Sequence, residues 1–268
     1  MIRRGEFRKL QLEIQSAIDE LYETAKSNEK NKNDYVLFLA RSSYNIKINK
    51  TKNNPWQLDN QFEEFIDRHR VDFLLQYLNK QYNFEEKIST DSKFTLSLEL
   101  MIYTHLWESK HNLGNFKKIA DLCDSKDYDW NMKIPSDSKY KFVKDNIRNV
   151  FEKKDLKIYN IFKDCYRSQL RNAFAHSLYH FSLNGDIIIL ENYQEGKQPL
   201  KGLTFNEWTV IFLKSALLQN LFHNKFNSEI ENLNSGNEYE VIMEYNGEKE
   251  IGLLSYDKQS KRFNGRIK

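Results

Sequence analysis

The chain has 268 residues, enough for one large domain or two small ones; 40% are hydrophobic and 29% charged, so it can build a globular core without disulfide staples. A net charge of only +3 excludes a molecule that attracts nucleic acid through bulk charge, and any phosphate contact must come from a local patch. The two cysteines, Cys123 and Cys165, form no C-x-x-C pair and no disulfide framework, the basic N-terminus has no apolar segment behind it, and no run approaches ~20 apolar residues, so a cytoplasmic protein without a membrane span is expected.

With 9 Gly and 3 Pro, the composition favours long helices over a turn-rich sandwich. Residues 8–27 are an expected amphipathic helix: Leu10, Ile14, Ala17, Ile18, Leu21 and Ala25 recur at spacings of three and four. Polar residues 27–34 are a loop, residues 35–48 are ambiguous between helix and strand, and Pro55 closes that region. Helices are predicted over 60–82, with Phe62, Phe65, Ile66, Phe73, Leu74 and Leu78 on one side, over 95–109, over a short stretch near 115–123, and over 140–152. Residues 124–139 form a connection containing Pro135. A long helix is predicted over 155–178. Its apolar face carries Ile158, Phe162 and Cys165, then shifts to another side at Leu170, Phe174 and Leu178.

A β-hairpin follows over 179–193, because Asn184-Gly185 supplies the positive φ values of a tight type I′ turn. Helix returns over 204–226. Beyond the polar linker 232–237, strands at 239–245 and 251–256 flank Asn246-Gly247, and Asn264-Gly265 lies in a basic end segment. About thirty residues rarely fold alone, so this tail should pack on the helical body and extend the 179–193 hairpin into a small sheet. The expected organisation is an N-terminal helical extension (1–55), a helical domain including the hairpin (56–231) and a small β-rich basic tail (232–268). The fold class is mainly α, a helical bundle with a β-hairpin after the motif helix and a small C-terminal β-meander.

The stretch that carries chemistry is Arg167-Ser-Gln-Leu-Arg171-Asn172-Ala-Phe-Ala-His176-Ser-Leu-Tyr179. Histidine is suited to proton transfer near neutral pH, and arginine binds phosphate oxygens in a planar, bidentate way. Together they suit cleavage of an RNA phosphodiester by its own 2′-OH, with His176 moving the proton and Arg171 stabilising charge on phosphorus-bound oxygens. On a continuous helix Asn172 and His176 lie one turn apart on one face, where Asn172 can hold the imidazole in one tautomer, whereas Arg171 lies about 140° away. Two copies of the helix meeting across a dimer would bring both residue types to one cleft, and small Ala173 and Ala175 permit close approach.

This stretch resembles the hallmark of the HEPN superfamily, Arg-x(4–6)-His with a polar residue directly after the Arg, here Arg171-Asn172-x-x-x-His176, followed by a hairpin. The motif covers six residues, and the helix–hairpin–helix context extends the likeness to about 140–226. The resemblance implies a HEPN-like helical bundle, a homodimer through the motif helix, and a metal-independent endoribonuclease with Arg171, Asn172 and His176 as catalytic residues. It also implies a role as a toxin, an abortive-infection effector or another antiviral defence nuclease, acting on tRNA, mRNA or phage RNA, with no cofactor and an antitoxin or trigger protein as a further partner. In some relatives a tyrosine two residues after the His is modified. That position is Leu178 here, and Tyr179, one residue later, is the modification candidate.

Arg167, one turn before Arg171, and His180 are auxiliary RNA-binding candidates, as are Lys261 and Arg262 in a tail cluster interleaved with Phe263, since cations with aromatics bind single strands by charge and stacking. More ordinary readings stand beside these: a salt bridge from Arg167 to Asp164, a hairpin position for His180, and a solvated edge for the tail. His105-x-x-Glu108-x-x-His111 has the wrong spacing for a helical metal site, so no metal is expected. Phosphate loops, dinucleotide fingerprints and nucleophile elbows are absent from the sequence. The alternative to an enzyme is a non-catalytic module that docks RNA, a nucleotide or a partner protein, or a helical scaffold in which Arg171 and His176 pair with carboxylates.

Overall fold

A computed structural model describes residues 2–44, 56–58, 61–82, 93–183, 186–245 and 248–268, with the side chains of 61–68, 71 and 245 not included. Pro55, both expected Asn-Gly turns (184–185 and 246–247) and the side chains of Phe62, Phe65 and Ile66 lie outside the described residues.

The molecule is mainly helical, with small antiparallel sheets. Helix α1 (Arg4–Asn28) follows the expected periodicity and buries Leu10, Ile14, Ala17, Ile18, Leu21 and Ala25. It packs between two helices much further along the chain, α5 (Lys110–Cys123) and α9 (Phe205–Glu231), so the N-terminal segment is part of the main core. The ambiguous stretch after the loop begins as a six-residue helix, α2 (Asp34–Leu39), with every residue buried. A two-residue ladder then joins β1 (Ser43–Tyr44) to β2 (Trp56–Gln57).

Helices α3 (Gln61–Gln81) and α4 (Lys93–Glu108) match the predicted segments, although Phe73 is exposed while Leu74 and Leu78 are buried. Ser109 ends α4 and caps α5, its hydroxyl accepting from the Asn112 amide at 3.2 Å. Helix α6 covers residues 139–153 and contains a π-helical turn over Lys144–Arg148. The capping box of α9 was encoded locally: Thr204 Oγ1 accepts from the Glu207 amide, and the Glu207 carboxylate accepts from the Thr204 amide at 2.7 Å.

Aromatic side chains fill the centre. Trp107, Trp208 and Tyr103 are fully buried, and both indoles find partners: Trp107 donates to Ser215 and Trp208 to Glu99. Glu99 is itself buried, and its carboxylate also accepts from Tyr77 and Tyr82, which satisfies a group that would otherwise be costly to desolvate.

The predicted single helix over 155–178 is two helices, α7 (Ile158–Cys165) and α8 (Ser168–Ala175). Tyr103 breaks it. Its hydroxyl donates to the Cys165 carbonyl (2.9 Å) and accepts from the Arg167 amide (3.2 Å), replacing backbone partners that a continuous helix would supply. Tyr166 and Arg167 accordingly adopt extended backbone. The shift of the apolar face between Cys165 and Leu170 is the sequence trace of this break.

The predicted hairpin is β3 (Tyr179–Phe181) paired with β4 (Ile187–Leu190). Its third strand is β5 (Gly202–Thr204), and the C-terminal tail does not join it. A Cβ on Gly202 would stand 2.6 Å from the Ile188 carbonyl, so β5 can approach β4 only through glycine. The tail forms its own sheet of β6 (Glu238–Tyr245), β7 (Glu248–Asp257) and β8 (Arg262–Ile267). Asn264-Gly265 lies inside β8. This sheet buries Val241, Met243, Leu254 and Phe263 in the common core, and Trp56 and Asn33 donate to its Glu244 and Glu240 carbonyls. Among the described residues no helix is long and apolar enough to cross a membrane.

Candidate active site

Helix α8 carries the motif, and a Schellman arrangement ends it. The Leu178 amide bonds the Ala173 carbonyl at 2.8 Å and the Ser177 amide bonds that of Phe174 at 3.4 Å, with Ser177 left-handed at φ 56°. The helix therefore stops at Ala175, and His176 is its C-cap rather than an interior residue. Below, Leu170, Ala173 and Phe174 anchor α8, with Phe174 meeting Tyr103 and Trp208 edge-on at 6.0 and 5.1 Å.

Arg171 and His176 face different surroundings. The Arg171 side chain is only 13% exposed, and its Nη1 lies 2.9 Å from Glu108 Oε1 at the end of α4. The second Glu108 oxygen is paired with Lys139 at the start of α6. Arg171 Nη2 donates to Asn172 Oδ1 at 2.7 Å. Asn172 thus orients the guanidinium, and the expected Asn172–imidazole contact is not formed. His176 is exposed, and among the described residues its ring makes no hydrogen bond.

Beside this ion-pair cluster, Tyr166 is buried against Trp107 (4.7 Å) with its hydroxyl lacking a partner. Burial pushes the phenol up to about 12. Tyr166 and Glu108 had no recognisable signal as site residues. Glu108 stood only within a rejected metal pattern, and its contact with Arg171 spans α4 to α8.

The auxiliary candidates are dispersed. Arg167 is exposed and donates to the Asp164 carbonyl at 3.4 Å, while Lys214 takes the Asp164 carboxylate. His180 stands on β3 with Nδ1 3.1 Å from Glu191. Tyr179 is half-buried, its ring 5.3 Å from that of Phe174. Lys261 and Arg262 are exposed on the C-terminal sheet, where the neighbouring tail cations Arg266 and Lys268 pair with Glu238 and Glu240. The structure thus joins Arg171 and Asn172, sets His176 at the end of the same helix, and places the tail residues on a separate sheet.

Among the described residues no cluster of three or more His, Cys, Asp or Glu is arranged to hold a metal ion. Cys123 and Cys165 are free and buried, and burial pushes each thiol up to about 12, away from nucleophilic chemistry. No protein-family model matches the chain, and searches of curated proteins and of solved structures return no significant match.

Proposed function

We propose that the chain is an endoribonuclease that cleaves RNA without a metal ion, through attack of a ribose 2′-oxygen on the adjacent phosphorus. The observation that carries this reading is the end of α8: an exposed imidazole without an internal hydrogen bond, on the same short helix as a guanidinium held in a defined direction. In the reaction the 2′-O–P bond forms and the P–O5′ bond breaks. His176 takes the 2′-hydroxyl proton and the imidazolium returns a proton to the departing 5′ oxygen, leaving a 2′,3′-cyclic phosphate and a 5′-hydroxyl. Arg171 stabilises the phosphoryl oxygens once it exchanges the Glu108 carboxylate for phosphate. DNA lacks the nucleophile and is spared.

The HEPN-like Arg171-Asn172-x-x-x-His176 pattern extends the proposal to a homodimer through α8 and to a toxin or antiviral defence role. Exposed Ala175, Ser177 and Leu178 around His176 leave that helix end accessible to a second copy.

The deciding experiment incubates wild type and His176→Ala with tRNA and single-stranded RNA in EDTA and reads the ends produced. Cleavage by wild type alone, with cyclic phosphate ends, is the expected result. Equal degradation by both, or by neither under any activating condition, removes the proposal.

A second reading is a helical scaffold that docks a partner without cutting. The pairing of both terminal nitrogens of Arg171, with Glu108 and with Asn172, favours it, because an arginine so held already has a structural task, although among the described residues its Nε is buried without a partner. A folded, monomeric protein that cleaves no RNA is its expected signature.

A further inference from the structure

Helices α6 and α7 are joined by a short connection and pack side by side. At one end, Tyr140 of α6 stacks on Tyr166, the residue that follows α7, with ring centroids 6.3 Å apart and planes 26° from parallel. At the other end, hydrogen bonding to Glu152 of α6 raises the Tyr159 phenol of α7, and the nearby charge of Arg148 acts against it. The start of one helix thus meets the end of the other, and a single antiparallel seam runs between them.

Aromatic and basic side chains alternate along this seam. On α6, Tyr140, Lys144 and Arg148 recur every four residues; on α7, Tyr159 and Lys163 do the same, and Tyr166 continues that face. In an unbroken α-helix each four-residue step drifts round the axis by about 40°. The wider π-helical turn over Lys144–Arg148 takes back that drift, so Arg148 stays on the side of Tyr140.

Tyr140 is 40% exposed, yet its ring is backed by buried Tyr166, which makes it a firm platform. Lys163 is exposed with its ammonium 5.7 Å from the Tyr159 ring, and Lys144 and Arg148 are half-buried. Among the described residues none of these three cations forms an ion pair. Of the neighbouring carboxylates, Glu108 is paired with Arg171 and Lys139, and Asp164 with Lys214. Exposed Asp145 and Glu152 are outweighed by the three cations and by exposed Lys141 beside Tyr140, so the band stays basic.

At its Tyr140 end the seam reaches the motif. The Arg171 charge acts on the Tyr166 phenol, and Lys139, directly before Tyr140, shares Glu108 with Arg171. Cations that meet phosphates, interleaved with rings on which bases stack, are a general means of holding a single strand.

We propose that the α6–α7 seam holds single-stranded RNA, with bases on Tyr140 and Tyr159 and phosphates on Lys144, Arg148 and Lys163, and leads the strand to Arg171. The fate of the strand rests on the ribonuclease reading, whereas its binding requires no cleavage.

The test is anisotropy titration of a labelled single-stranded RNA of about ten nucleotides with the full chain carrying His176→Ala, so that the strand stays intact. Measured from about 50 to 200 mM salt, three phosphate contacts give a log–log slope of about −2, and Lys144→Gln and Lys163→Gln should each remove about 0.7 of it. Tyr140→Leu should weaken binding about fivefold or more, and Tyr140→Phe should retain it. The two lysines are exposed or half-buried, so their variants keep the test valid if Tyr140→Leu impairs folding.

Undiminished affinity in the folded seam variants overturns the proposal, as does a loss confined to Lys261→Gln and Arg262→Gln in the tail. Absence of binding at the lowest salt also overturns it, and so does equally tight binding of polyglutamate, the mark of a site for acidic peptides. With His176 intact and EDTA present, cleavage that the seam variants leave unchanged removes this proposal alone. Seam-dependent binding without cleavage removes the ribonuclease reading alone.

Discussion

Glu108 Oε1 lies 2.9 Å from Arg171 Nη1 and ties the last turn of α4 to the helix that carries the Arg-Asn-x-x-x-His motif. The carboxylate is 37% exposed, whereas its two cationic partners, Arg171 and Lys139, are 13% and 10% exposed. Under the ribonuclease reading, Glu108 therefore decides whether the guanidinium is committed to the protein or available to a substrate.

Glu108→Gln leaves two mostly buried cations facing each other without a counter-charge. Stability should fall by about 1–3 kcal/mol, less than for a fully buried pair because Glu108 reaches solvent. Under the ribonuclease reading, cleavage per folded molecule should rise, since Arg171 no longer leaves a carboxylate to meet phosphate. Denaturant titration gives the first quantity and initial cleavage rates give the second; a drop in rate matching that of His176→Ala would assign Glu108 a positive part in the reaction.

His176→Ala should leave unfolding within about 0.5 kcal/mol of wild type, because the ring is exposed and makes no internal hydrogen bond. Two residues away, Phe174→Ala should cost about 3–5 kcal/mol, since it removes a ring wedged against Tyr103 and Trp208. Thermal melts of the pair check that activity lost in His176→Ala is chemical in origin.

Ser177→Gly should stabilise the protein by up to about 1 kcal/mol, relieving the left-handed strain at φ 56° that ends α8. Ser177→Val should destabilise it. Equal midpoints for the three proteins would mean that the helix does not end this way in solution.

Tyr103→Phe removes one hydroxyl that serves both sides of the α7–α8 break. The Cys165 carbonyl and the Arg167 amide lose their partner together, at a cost of about 1–3 kcal/mol. Hydrogen exchange at Arg167 should accelerate relative to the centre of α9.

Asp127 links the tail sheet to the α1–α2 loop. Lys30, Asn31 and Lys249 surround its carboxylate, and the Lys30 hydrogen bond leads in lowering it to about 2. An acid group lowered on folding stabilises the folded state above its unfolded value near 4 and loses that contribution as pH falls toward about 2. Stability measured between pH 5 and pH 2 should therefore fall more steeply in wild type than in Asp127→Asn, and added salt should shrink the difference because the site is exposed.

Much of this molecule is written in short stretches of sequence. The spacing of Leu10, Ile14, Ala17, Ile18 and Leu21 determined α1, the Thr204-x-x-Glu207 box set the start of α9, and the alternating segments around 179–193 and 239–256 determined their hairpins. The Arg171-Asn172-x-x-x-His176 pattern was likewise visible by itself. These features depend on residues within a few positions of one another, where backbone geometry alone dictates who meets whom.

Tertiary structure decided the rest. The break between Cys165 and Ser168 depends on a tyrosine hydroxyl 64 residues before Arg167. The commitment of Arg171 to Glu108, the separate sheet formed by the tail, and the meeting of aromatic and basic side chains from α6 and α7 depend on how separate helices and strands come to lie together. An ion pair or a helix seam is a meeting of side chains from different elements, and periodicity within one element carries no record of its partner.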